Sequence, residues 1–388
     1  MKRLAFLLAF AAPMAAHAQS ADDAYTLGEL QVTARARGGE LIGGSVVGSE
    51  DLRRFDKASL DRALDLVPGA VAGNSGGSRN ERLVYVRGFD RFQTTLSIDG
   101  VRVFLPADNR IDFARFLTAD LSQIQVSKGY VSVLDGPGGL GGAINLVTRK
   151  PTTALDGEIR VNAAIDSAGV LSGNTVSGLI GTRQDRFYLQ FSGARSERDH
   201  FRLSDDFKPT ALENGGEREH SDTEDWRINL KAGLTPNDTD EYSLNYIRQE
   251  GSKNAPYHVT DTASTRYWDW PYWNIESLAF LSHTKIAEGA YLRTRLYRNT
   301  FENGLFSYDN ARQNSQTLGR AFRSPYEDEA FGGNVELGVD VGAANTLKVA
   351  AYYRRDRHDE WQQSFAPPTV EPRQTTTEAT GSFALEDT

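Results

Sequence analysis

The chain has 388 residues, 24% of them charged, a formal net charge of -9 and no cysteine. That acidic balance, without a dense Lys/Arg run, excludes a nucleic-acid binder, and the missing cysteines exclude disulfides, Cys-ligated metals and thiol nucleophiles. The negative mean hydropathy would suit a soluble protein, yet a membrane β-barrel alternates lipid-facing and lumen-facing residues and averages the same way.

Residues 1–18 read as a secretory signal: Lys2 and Arg3 give the positive start, Leu4 to Phe10 the apolar centre, and Ala16-His17-Ala18 the small-residue cleavage pattern. The apolar run is too short for a membrane helix, and no later stretch is long enough. Residues 19–44 read as a polar, flexible segment. Asp51–Val67, apolar at Leu52, Phe55, Leu60, Leu64 and Val67, predicts a helix that Asp56 caps from Ser59 onward and Pro68-Gly69 ends. Ala72–Glu81 and Phe104–Asp112 predict loops. Val84-Tyr85-Val86, Leu96-Ser97-Ile98 and Ile144–Val147 are short β-rich runs beside glycine turns, which describes a small sheet folded tightly on itself. Gly136–Gly142 is no phosphate loop, because no Gly-Lys-Ser/Thr follows it.

Beyond Pro151 the pattern changes to period two. Trp226, Ile228, Leu230, Ala232 and Leu234 alternate with Arg227, Asn229, Lys231 and Gly233, and Val335, Leu337, Val339 and Val341 alternate with Glu336, Gly338 and Asp340. A membrane barrel and a soluble β-sandwich share this alternation. About ten strands are predicted, roughly 157–166, 173–183, 186–198, 223–235, 240–251, 273–285, 289–302, 327–342, 346–358 and 374–387. Connections after the second, fourth, sixth and eighth are tight, and those after the third, fifth, seventh and ninth are long, the asymmetry of a transmembrane barrel. Three of the five tryptophans fall in Tyr267–Trp273, placed by this reading at the membrane interface rather than in a ligand vestibule. The scattered histidines lack metal spacing, and no nucleophile–base constellation suggests an enzyme.

The wording of the glycine turns carries a family resemblance. Asp65–Val71, Arg87-Gly88-Phe89, Ile98–Val103, Lys128-Gly129 with Leu134–Pro137, and Gly141–Pro151 resemble, in order, the plug domain of TonB-dependent outer-membrane receptors. The resemblance implies an α+β plug domain at 45–151, then an antiparallel transmembrane β-barrel from 152 to 388. It places the protein as a multi-pass barrel in the outer membrane of a Gram-negative bacterium, in contact with outer-membrane lipid. Plugged transporters close with 22 strands, so about ten strands imply the N-terminal part of a receptor or a truncated, non-functional product.

Glu29, Leu30, Gln31, Val32, Thr33 and Ala34 resemble the TonB box, the strand that the TonB energy-coupling protein of the inner-membrane proton-driven complex pairs with; the plain alternative is a short terminal strand. The two predicted loops match plug apices facing the ligand. Asn74, Arg79, Asn80, Asn109 and Arg110 either contact it or merely solvate those loops. Arg82, Arg87, Arg91, Arg102 and Arg115 form a positive patch suited to an anionic chelate, unless Arg87 pairs with barrel carboxylates and locks the plug. The implied function is TonB-dependent import of a scarce ligand, a ferric siderophore by family prior, with iron carried as a chelate and no resident cofactor or metal. Haem, cobalamin, another metal chelate or an oligosaccharide stay open as cargo, and a passive porin stays open as a rival.

Overall fold

The computed structural model describes residues 26–29, 34–35, 41–74, 79–129, 131–259, 265–341 and 345–387. The expected signal at 1–18 and the box residues Leu30, Gln31, Val32 and Thr33 lie outside them.

The first unit is a mixed five-stranded sheet in the order Gly44–Gly48, Leu121–Ser127, Gly142–Thr148, Thr94–Ile98 and Val101–Val103. Thr94–Ile98 runs parallel to Gly142–Thr148, and the other pairs are antiparallel. Leu52, Leu60, Leu64, Leu96, Ile124, Ile144 and Leu146 fill its core. Helices Ser49–Arg54 and Leu60–Leu64 cover the sheet, in place of the single helix predicted from Ser59. The chain turns between them at Asp56, whose φ of 48° is incompatible with capping; its carboxylate instead accepts a hydrogen bond from Asn162 Nδ2 at 2.5 Å. The predicted loop at 72–81 is partly strand, because Ala70–Asn74 pairs with Arg82–Val86.

The second unit is an antiparallel sheet of twelve strands, ten of them long and consecutive from Asp156–Ile165 to Gln374–Asp387. The added two, Gln363–Phe365 and Pro368–Val370, form a small hairpin in the last long loop. Tight turns at 184–186, 235–240 and 288–289 face one opening, while the described loop residues 199–222, 255–259, 265–267, 308–321 and 361–373 face the other.

The facing of the side chains separates barrel from sandwich. Along Thr223–Leu234 the residues Asp225, Arg227, Asn229 and Lys231 are buried, while Leu230 and Leu234 are exposed. Leu189, Phe191, Leu244, Leu278, Phe280, Leu296, Phe331 and Val335 continue the exposed apolar face. A soluble sandwich would turn those residues inward, whereas a barrel wall meets lipid with them and keeps its polar parity for the interior. That interior is filled by the first unit, against which the wall residues Ile247, Trp273, Ile275 and Phe301 complete one hydrophobic core.

Candidate functional site

The plug is fastened to the wall by ion pairs that neither surface could leave unpaired once buried. Asp120 receives Arg227 Nη2 at 3.0 Å and Asn229 Nδ2 at 3.0 Å. Arg115 meets Asp225 at 3.1 Å, and Lys150 Nζ donates to Glu241 at 2.9 Å. Asp112 holds Lys253 Nζ at 2.6 Å and accepts the backbone N–H groups of Arg82 and Ala114. Burial raises the Asp112 carboxyl, but the Lys253 ammonium and the Arg115 guanidinium outweigh it and hold the group below the usual aspartate range. Burial pushes Asp135 the other way, up, although Arg295 lies 3.1 Å away.

The two ends of the plug present different sites. Towards the long loops, the stretch 104–112 and the residues 79–81 meet the wall around a cavity of about 80 Å³, lined among others by Asp108, Arg110, Trp270, Asn303, Tyr326 and Asp328. Towards the tight turns, a cavity of about 380 Å³ opens beside Leu27 and Glu29, against Arg183, Asp185 and the 235–241 turn. There Asn145 Nδ2 donates to the Gly28 carbonyl at 3.0 Å, Gln123 Nε2 to Glu29 Oε1 at 2.8 Å, and Arg295 Nη2 to the Glu29 carbonyl at 3.4 Å. Asn145 also accepts from the Gly100 N–H, so one central plug strand touches both the docked segment and the Asp99-Gly100 turn. Of the box residues, Glu29 is thus docked, and Ala34 lies in the strand Ala34–Arg35 paired with Leu41–Ile42.

Among the expected ligand residues, Arg79 and Arg110 line the outer cavity. Asn80 and Asn109 are used structurally. Both take left-handed backbone conformations; Asn80 Nδ2 donates to the Asn254 carbonyl at 3.3 Å and Asn109 Nδ2 to the Arg91 carbonyl at 2.7 Å. Asn74 is exposed at the end of its strand, outside the cavity lining.

Of the expected positive patch, Arg82, Arg91 and Arg115 pair with carboxylates and Arg102 with a backbone carbonyl. Arg91 meets Glu81 at 3.4 Å, Arg82 meets Asp61 at 3.4 Å, and Arg102 donates to the Pro137 carbonyl at 2.6 Å. Arg87 is exposed, with φ of 50°, and among the described residues no barrel carboxylate pairs with it. The interfacial placement of the tryptophan run is also corrected: Trp270 and Trp273 are each 4% exposed and face the plug, Trp273 packing edge-on against Phe116 at 5.8 Å. Sequence reasoning missed Lys253, Asn303, Tyr326 and Asp328. Their signal was inward parity at the long-loop ends of strands. Among the described residues no cluster of His, Asp and Glu could hold a metal ion.

Comparison with known proteins bears on this architecture. The family described as TonB-dependent Receptor Plug Domain matches residues 43–143. The chain is 27% identical over 123 residues to a vitamin B12 transporter BtuB of Vibrio vulnificus, covering 32% of this chain and 20% of that protein. It is 26% identical over 165 residues to the BtuB of Photobacterium profundum, covering 42% and 27%. In fold it is similar to the copper transporter OprC, with a TM-score of 0.68 at 15% identity, covering 91% of this chain and 52% of that one. The unliganded ferric citrate transporter FecA gives a TM-score of 0.68 at 16% identity, covering 89% and 53%. The siderophore receptor PirA from Acinetobacter baumannii gives 0.64 at 16% identity, covering 89% and 54%. The chain spans about half the length of these solved structures and less of the curated relatives.

Proposed function

We propose that this chain, a TonB-dependent receptor in its plug domain and its barrel fold, forms the plug and adjoining wall of an outer-membrane importer for a scarce ligand. The observation that carries the reading is the two-ended plug. Its loops 79–81 and 104–112 close a cavity on the long-loop side, while Gly28 and Glu29 are held on the tight-turn side by Asn145, Gln123 and Arg295. Cargo seated at the first end biases the plug towards a state in which Glu29–Ala34 is free. It does so only by binding that state more tightly than the docked one. A periplasmic coupling protein then pairs with the freed segment by strand addition and draws on the inner-membrane proton gradient to move the plug. The exposed apolar face of the wall supports lipid contact in an outer membrane. A ferric siderophore is the proposed cargo class, supported by the iron receptors among the fold neighbours; the B12 and copper transporters keep a corrinoid or another metal chelate as the second reading.

The test is removal of residues 29–34 at the chromosomal locus, followed by measurement of binding and energy-dependent uptake of radio-iron chelates. Retained binding with lost uptake is expected. Unchanged uptake would support a passive porin instead.

A further inference from the structure

We infer that the cavity beneath the long loops receives a positively charged, hydrogen-bond-donating arm of the cargo, an inference that rests on the importer reading and specifies its ligand. Two acceptors in the cavity lining are buried and have no hydrogen-bond partner among the described residues: Asp328 Oδ2 and Asn303 Oδ1. The Asp328 side chain is 3% exposed, and its other oxygen is engaged by His358 Nδ1 at 2.5 Å. In the register of the wall, Asn303 stands opposite Tyr326 and Phe301 opposite Asp328. The two orphan acceptors therefore belong to diagonal neighbours on adjacent strands, on one face of the wall. A buried acceptor left without a donor is costly, and an ammonium or guanidinium group supplies several donors at once.

The charges nearby argue the same way. Arg79 is paired with Glu81 at 3.7 Å, Arg110 with Asp108 at 2.5 Å and Lys253 with Asp112 at 2.6 Å. An anion entering the cavity would meet carboxylates whose cations are already committed. A cation meets the free face of Asp328 and the ring of Tyr326, a favourable setting for positive charge, on the side of the cavity away from Lys253, which already covers the Trp270 ring at 4.8 Å. The volume, about 80 Å³, suits an arm of a few heavy atoms, given about 30 Å³ for one water. The chelate core would rest above it.

A matched ligand series tests this on the full chain. Ferrioxamine B carries a free ammonium arm on a ferric trihydroxamate core; its N-acetyl derivative is neutral there and its N-succinyl derivative anionic. Quenching of tryptophan emission on titration reads affinity. The expected order is ammonium, then acetyl, then succinyl, with about tenfold or more between the extremes. D328N is expected to compress that ratio to about twofold and N303D to widen it. Because the wild-type series carries the comparison alone, a variant that fails to fold does not remove the test. Equal affinities, or tighter binding of the succinyl form, would overturn the cationic arm and leave the importer reading in place. No binding of any of the three overturns the arm as well, and joined to uptake that ignores loss of residues 29–34 it overturns the importer reading too.

Discussion

Asp99, in the turn between two plug strands, and Lys231, on the inner face of the wall, meet at 3.1 Å with side chains only 3% and 4% exposed. Around them Thr148 donates its backbone N–H to Asp99 at 2.8 Å, Asn245 Nδ2 donates to the same carboxylate at 3.1 Å, and Lys231 Nζ donates to the Thr148 carbonyl at 3.3 Å. The pair pins the turn that also contacts Asn145, and so ties the wall to the strand holding Gly28.

Removing one partner strands the other charge, buried. K231M is expected to cost about 3–5 kcal/mol, and the double variant D99N/K231M less than the sum of its singles by more than about 1 kcal/mol. Thermal melts of the purified protein, run as a double-mutant cycle, check this. Additive effects would mean the pair is not coupled.

Asp112 makes stability depend on acid. Its carboxyl is held below the ordinary value of 3.8 against its burial, chiefly by Lys253. A depressed folded-state value stabilises the native protein above the unfolded value, and the contribution is lost as pH falls through the lower, folded one. The melting-temperature difference between wild type and D112N is therefore expected to be constant from neutral pH down to about 5 and to shrink towards zero below the ordinary aspartate range. A difference that widens on acidification would contradict the assignment.

Gly142 opens the central plug strand with φ of 144°, and a Cβ there would sit 2.4 Å from the Ser127 carbonyl oxygen. That backbone is held in the neighbouring strand and cannot yield. G142A is expected to destabilise the plug and speed its cleavage by added protease, whereas G73A, where a Cβ meets nothing within 4 Å, leaves the rate unchanged. Equal rates for the two variants would show that the plug tolerates the clash.

Phe280 is exposed on the outer face between Leu244 and Leu296. If that face meets lipid, F280R costs about 2–4 kcal/mol of folding into bilayers, and F280L little. The fraction of heat-modifiable, folded protein recovered in vesicles measures it. Equal recovery of F280R and wild type would argue that this face does not lie in the hydrocarbon layer.

Local pattern was legible in the sequence. Alternation along 223–234 and 335–341 located strands that the structure places at Thr223–Leu234 and within Phe322–Val341, because pleating forces neighbouring side chains to opposite faces whatever the strand packs against. The glycine turns around Gly88, Gly100, Gly129, Gly136 and Gly142 were legible for a similar reason: each has a positive φ that other residues resist. The helix capped at Asp56 was misread, since apolar spacing continued smoothly past a residue at which the chain in fact turns.

The sequence by itself therefore determined the long strands of the wall, the change from plug to wall near Pro151, and the alternation of tight turns with long loops. Only the tertiary structure decided which polar parity would be buried against the plug, that Trp270 and Trp273 face inward, and that Asn80 and Asn109 serve the backbone. It also decided the pairing of Asp99 with Lys231 and the convergence of Asn303 and Asp328 with plug residues such as Asp108 on one cavity. The physical reason is separation along the chain. Strand and turn formation follow from neighbours a few residues apart, whereas the charge pairs and the outer cavity join positions on different strands, brought together only when the wall curves around the plug.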